Sequence, residues 1–264
     1  MSTTEFGCPY GTAPYVSYSQ LDALHEMQHP TTDSPLEMQF ILITQVKELL
    51  FRMAYVDLDE ARNRLRANDC AQACRALARV SRVQRVLQSS WDYLNGMSAS
   101  EFLGFRHVLG SASGNQSFMY RALEFILGNK DDESLAYIRQ FGPLAPILAR
   151  EVAEPSLDDE VIAYLGRTFG ALPTPSRPAL EPAVEEVWLA VYRDPNRYPE
   201  QYALAEALLE VAYQFAHWRS THLLVVERML GAKPGTGGTA GLDWLRRIRD
   251  HRFFPELWAV RTRM

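Results

Sequence analysis

A single all-α domain is the fold class this sequence predicts. Apolar residues recur at steps of three and four through most of the chain, no pair of segments reads as convincing strands, and no internal repeat is visible. The 264 residues, 47% hydrophobic and 22% charged, have ordinary globular composition and suffice to bury a sizeable core. We therefore expect one helical domain over 1–264, with the proline-rich stretch 130–200 as an insertion or subdomain upon it.

From Leu42 the positions Leu42, Val46, Leu49, Met53 and Val56 make one helical face, while Phe40, Thr44 and Phe51 make a second. This helix is expected to be buried on two sides. Asp33 or Ser34 is positioned to cap its start, with Pro35 at an early helical position. A second helix, roughly Cys70 to Leu94, turns Val80, Val83 and Leu87 inward and carries Arg75, Arg79, Arg82 and Arg85 on another stripe. "SASEFLGFRHVL" reads as a fresh helix start capped by Ser98 or Ser100. "GSASGNQS" is a break, and "FMYRALEFILG" resumes helix and stops at Gly128. Between Lys130 and Pro199 nine prolines divide the chain into short helices and loops. A long helix from about Gln201 to Leu230 closes the bundle.

Several partners and locations are disfavoured by the bulk properties. A net charge of −5 argues against nucleic acid, which needs a concentrated basic face. No apolar run approaches bilayer-spanning length. The N-terminus shows neither a basic nor an apolar leader region. Three cysteines cannot all pair, and the Cys70–Cys74 spacing is not a usual zinc or redox spacing, so reduced thiols and a cytoplasmic location are expected.

Along the last long helix Leu208, Val211, Phe215, Trp218, His222, Val225 and Met229 share one stripe. Spacing alone favours reading His222 as a satisfied core imidazole, with an axial iron ligand as the alternative. The following "GAKPGTGGTAG" formally fits a dinucleotide fingerprint. It lacks the preceding strand that such a motif requires, so a connector or a lid over a ligand remains, with Thr236 offering a hydroxyl. Arg106 shares a face with Phe102, which suits either a structural ion pair or a clamp on a substrate carboxylate.

Four stretches together resemble the tryptophan 2,3-dioxygenase family of haem proteins. They are "YVSYSQLDALHEMQ" (Tyr15–Gln28), "FILITQVKELLF" (Phe40–Phe51), "EFLGFRHVLGSASGNQS" (Glu101–Ser117) and "HWRSTHLLVVERMLGAKPGTGGTAG" (His217–Gly241). The resemblance spans nearly the whole chain outside the proline-rich segment and implies haem b as cofactor. It makes His222 the axial ligand of the haem iron and Arg106 the clamp on the amino-acid carboxylate. Thr236 becomes the hydroxyl that meets the substrate as the loop closes. It further implies that Phe40, Phe102 and Trp91 line the indole and haem pocket, and that Ser113 and Gly114 form the turn over the haem's distal face. Tyr15 and Tyr18 match a segment that the family contributes from a neighbouring subunit, which implies a homotetramer or dimer of dimers.

One departure bears on chemistry. In the family a histidine four residues after the phenylalanine corresponding to Phe40 faces the indole N–H; here that residue is Thr44, and Asn115 stands where an aromatic is common. Threonine can exchange hydrogen bonds but cannot serve as an imidazole base. The expectation is therefore a haem-dependent oxygenase acting on tryptophan or a substituted tryptophan such as the β-methyl derivative. Mono-oxygenation at C2 to a 2-oxindole, with dioxygen or peroxide as oxidant, is preferred over C2–C3 cleavage to N-formylkynurenine. A non-catalytic haem sensor is a further alternative, against which Arg106 and Thr236 argue.

Overall fold

The computed structural model describes residues 13–173, 181–233, 235–236 and 241–264. Cys8, the start of the N-terminal sequence and part of the glycine-rich loop lie outside the described residues. Among the described residues the only regular elements are helices, as periodicity predicts.

Two short helices, α1 (Pro14–Ser19) and α2 (Leu21–His25), lead into α3 (Pro35–Arg66). Ser34 occupies the cap position of α3 but makes no side-chain cap bond. The orphan donors ahead of the helix are instead gathered by Glu37, whose carboxylate accepts from the backbone N–H groups of Thr31 and Thr32 at 2.8 and 2.7 Å. After a tight turn in which Asn68 takes a left-handed conformation (φ 59°), α4 (Cys70–Asn95) starts on an Asp69 cap. The short connection forces α3 and α4 to run side by side in opposite directions. The 32-residue helix α11 (Pro199–Leu230) packs along the other flank of α4.

Buried Leu58, Leu65, Leu77, Leu87, Leu208 and Phe215 fill this three-helix body, each contributing about 1.5–3 kcal/mol by leaving water. The inward set on α4 is the predicted one, and its four arginines lie outside. The face of α3 formed by Leu42, Val46, Leu49, Met53 and Val56 departs from expectation: all five are exposed. Within one chain α3 packs against α4 and against the helices Ala99–Arg106, Phe118–Ile126 and Leu157–Phe169, and these leave the face from Leu42 to Val56 uncovered.

The helix α5 (Ala99–Arg106) lies against α3 and α11, and α6 (Phe118–Ile126) is buried against α3. Ser98 caps α5 through a reciprocal box with Glu101. Gly128 ends the next segment at φ 106°, where an added Cβ would also press on Asp158 at 3.2 Å. The proline-rich segment forms α7 (Asp132–Arg139), α8 (Pro146–Ala153), α9 (Leu157–Phe169) and α10 (Pro182–Arg193), with prolines opening α8 and α10. Leu148, Leu157, Leu165 and Trp188 from these helices belong to the same apolar core as α3, α4 and α11. A wholly buried ion pair, Arg62 to Glu151 at 2.6 Å, ties α8 to α3. The chain ends with α12 (Leu242–Asp250) against α11 and α13 (Pro255–Ala259) against α10. No helix among the described residues is long and apolar enough to cross a membrane. Cys70 and Cys74 carry free thiols.

Candidate active site

His222 lies three-quarters of the way along α11, half-buried on the predicted stripe. Its imidazole stacks on Trp91 of α4, with centroids 4.7 Å apart and planes within 16°, and meets Trp218 one turn earlier at 5.6 Å. Burial, reinforced by the nearby Lys47 charge, holds its pKa down at about 3. The ring is therefore neutral at physiological pH, the state in which a nitrogen lone pair can bind metal. No hydrogen bond to another described residue engages either ring nitrogen, so the structural alternative of an imidazole satisfied by a carbonyl or hydroxyl is not realised among these residues.

The aromatic wall behind His222 is continuous. Trp218 contacts Trp91 at 5.3 Å, Tyr120 at 5.6 Å and, edge-on, Phe51 at 5.6 Å. Arg219, 2% exposed, donates to Tyr120 Oη at 3.0 Å and to Glu124 at 2.6 Å. Arg121 pairs with the same carboxylate. This buried network clamps α6 to α11 and fixes the rotation of the helix that presents His222. It was not anticipated from sequence; the signal was the Glu124 charge inside the apolar run "ALEFIL".

Phe40, Phe102 and Phe105 form a second cluster, with mutual centroid distances of 5.7, 5.6 and 5.3 Å. Arg106 follows at the end of α5, half-buried. Thr44 is exposed and its hydroxyl donates to the Phe40 carbonyl at 2.8 Å, leaving its oxygen free to accept. The Ser113–Gly114 turn is held by Ser113 Oγ accepting from Asn115 N at 3.3 Å and by Gln116 accepting from Ser113 N at 3.2 Å. Thr236, from the glycine-rich loop, donates to the Ala112 carbonyl beside that turn. The loop residue expected to meet the substrate thus touches the backbone next to the turn expected to meet the haem. Tyr15 and Tyr18 do not join the site within the chain: they are 73% and 90% exposed on α1.

Lys47 is the residue that sequence reasoning passed over. It follows Phe40 by seven positions and Thr44 by three, on the buried side of α3, and its ammonium sits 3.3 Å from the centre of the Trp91 ring. A lysine on an otherwise apolar face was the available clue. A cavity of about 740 Å³ opens beside the turn, lined by Asn115, Arg121, Arg219, Trp244, Arg247 and His251 among others; His222, Trp91 and Arg106 are not among its lining residues.

Among the described residues no group of three or more His, Cys, Asp or Glu side chains converges as a bare metal site. A porphyrin supplies four ligands of its own, so a single neutral imidazole suffices. The buried indole N–H groups of Trp91 and Trp218, both without partners, are polar hydrogens of the kind that an added group with acceptor oxygens would satisfy. These residues fit haem.

A family model described as Tryptophan 2,3-dioxygenase matches residues 5–169 and 176–264. The chain belongs to the tryptophan 2,3-dioxygenase family. Proteins named tryptophan 2,3-dioxygenase from a Ruegeria species and from Caulobacter vibrioides are each 40% identical to it, over 94% and 95% of this chain and 91% and 98% of their own. One from Burkholderia pseudomallei is 41% identical over 94% of this chain and 83% of its own. Membership in the tryptophan 2,3-dioxygenase family makes this an oxidoreductase of that type on an all-α scaffold, and the family is haem-dependent in general.

Proposed function

We propose that this protein is a haem-dependent oxygenase of the tryptophan indole ring. The observation that carries the reading is the neutral imidazole of His222, stacked on Trp91 and unengaged by other described residues. His222 would hold the iron of haem b, with Trp91 beside it and Ser113 and Gly114 as the turn over the opposite face. Haem, when bound, supplies the binding and activation of dioxygen.

The rest of the work belongs to side chains of this chain. Arg106 clamps the substrate carboxylate through two parallel N–H donors. Phe40 and Phe102 hold the indole by its faces and edges. Thr236, already bonded at the turn, draws the glycine-rich loop over the amino acid and excludes water. Thr44 donates to Phe40 and so can accept the indole N–H; it orients the ring without removing its proton.

The relatives' names favour insertion of both oxygen atoms and cleavage of the C2–C3 bond, giving N-formylkynurenine. Thr44 is the one observation favouring a second outcome, in which one atom is added at C2 and a 2-oxindole forms from tryptophan or a β-methyl tryptophan. Balance then requires either peroxide, with water released, or dioxygen with two electrons and two protons. Mass spectrometry of products from the reduced, haem-loaded protein under labelled dioxygen, with a labelled-peroxide run, decides between them. Two labelled atoms in an opened ring establish the dioxygenase, and one atom in an intact ring establishes the oxindole reaction. No oxygenated product from either amino acid would sink the enzymatic reading and leave the haem sensor.

The assembly proposed is a homotetramer or dimer of dimers in the cytoplasm. Two features support association: the exposed apolar face of Leu42, Val46, Leu49, Met53 and Val56 and the exposed Tyr15 and Tyr18, which would complete a neighbouring subunit's site.

A further inference from the structure

Lys47 is only 8% exposed, yet no carboxylate among the described residues pairs with it. Its sequence neighbour Glu48 is turned to Ser117 and the backbone of Met119, with its Oε2 buried and without a hydrogen-bond partner. Contact with the Trp91 ring is the ammonium's interaction in the structure, and a ring face recovers only part of what a buried ammonium loses on leaving water. Two more polar hydrogens lie in the same cluster without acceptors, the Nε1–H groups of Trp91 and Trp218, whose rings are 5.3 Å apart. One buried positive charge and two indole donors, none of them bonded to an acceptor among the described residues, are complementary to an anionic oxygen group.

We infer that Lys47, supported by the indole N–H groups of Trp91 and Trp218, is the seat of a carboxylate brought in by a bound molecule. This rests on the haem-oxygenase reading, because His222 belongs to the same cluster. Two sources carry that chemistry: a propionate of the porphyrin and the carboxylate of the amino acid. The porphyrin is favoured, since Arg106 is already assigned to the amino acid. Lys47 lies on the helix that carries Thr44, so it would fix how the porphyrin is rotated relative to the residue facing the indole.

Spectrophotometric titration of apoprotein with iron protoporphyrin IX and with its dimethyl ester tests this without measuring turnover. A charge-assisted bond of this kind corresponds to about a 10-fold or larger change in affinity. Lys47→Met should weaken binding of the free acid by about that factor and leave the diester unchanged, while Lys47→Arg restores affinity for the acid. Unchanged porphyrin binding, together with about 10-fold weaker L-tryptophan binding and unaltered tryptamine binding in Lys47→Met, would assign the same seat to the amino acid. If Lys47→Met binds all four probes as the native chain does, the seat does not exist. Absence of a Soret band in the native protein would instead overturn the haem reading itself, and a circular dichroism spectrum identifies any variant that fails to fold.

Discussion

The hydroxyl of Thr236 donates a hydrogen bond to the carbonyl of Ala112, 124 residues earlier in the chain. This single bond joins the glycine-rich loop after α11 to the turn that carries Ser113 and Gly114. It holds Thr236, proposed to meet the amino acid, beside the turn proposed to meet the haem.

Thr236→Val keeps the side-chain shape and removes the donor. The bond is exposed, so the fold should be unaffected within about 0.5 kcal/mol. Tryptophan affinity, read from the Soret shift of the ferric haem protein, should fall about 10-fold as the loop loses its anchor.

His222→Ala removes the imidazole that stacks on Trp91. The expected result is a protein that folds, by circular dichroism, but shows no stable Soret band after haem is supplied. A full Soret band that survives gel filtration would place the iron ligand elsewhere.

Glu124→Ala leaves Arg121 and Arg219 buried without their shared carboxylate. Breaking a buried pair in this way costs about 3–5 kcal/mol, so the urea midpoint should drop sharply. A shift of only a few tenths would mean that Tyr120 and Asn115, which also bond these arginines, are sufficient partners.

The apoprotein should gain stability as pH rises above neutrality. Burial holds the Lys47 ammonium down to about 7 from 10.5, so between those values the unfolded chain binds more protons than the folded one. The destabilising contribution is complete below pH 7 and fades toward pH 10.5. Lys47→Met should stabilise the apoprotein at pH 7 by about 2 kcal/mol or more and flatten this slope. Equal slopes in the two proteins would show that Lys47 is solvated.

Thr44→His places an imidazole four residues beyond Phe40, on an exposed position that accommodates it. If the native protein forms a 2-oxindole, this variant should shift product toward the opened ring, which mass spectrometry resolves. An unchanged product ratio would assign the outcome to other residues, Asn115 first among them.

Much of the architecture was legible from periodicity. The buried positions of α4 and α11 repeat every three or four residues, Ser98 marks a helix start, and the prolines after Lys130 divide that segment into short helices. His222 also stood out, because an imidazole on an apolar stripe is visible without any fold. The burial of α3 departs from its periodicity for a definable reason. Both its faces are apolar, and sequence does not say which one the chain covers and which one it leaves outside.

By itself, then, the sequence determined an all-helical chain, the stripe bearing His222 and the family motifs around Arg106 and Thr236. The tertiary structure alone decided that Trp91 stacks on that histidine, that Glu124 joins Arg121 to Arg219, and that Lys47 lies buried over an indole without a carboxylate. Helical periodicity is a local property of neighbouring residues. Partners contributed by α3, α4, α6 and α11 are far apart in the chain, and only packing determines which of them meet.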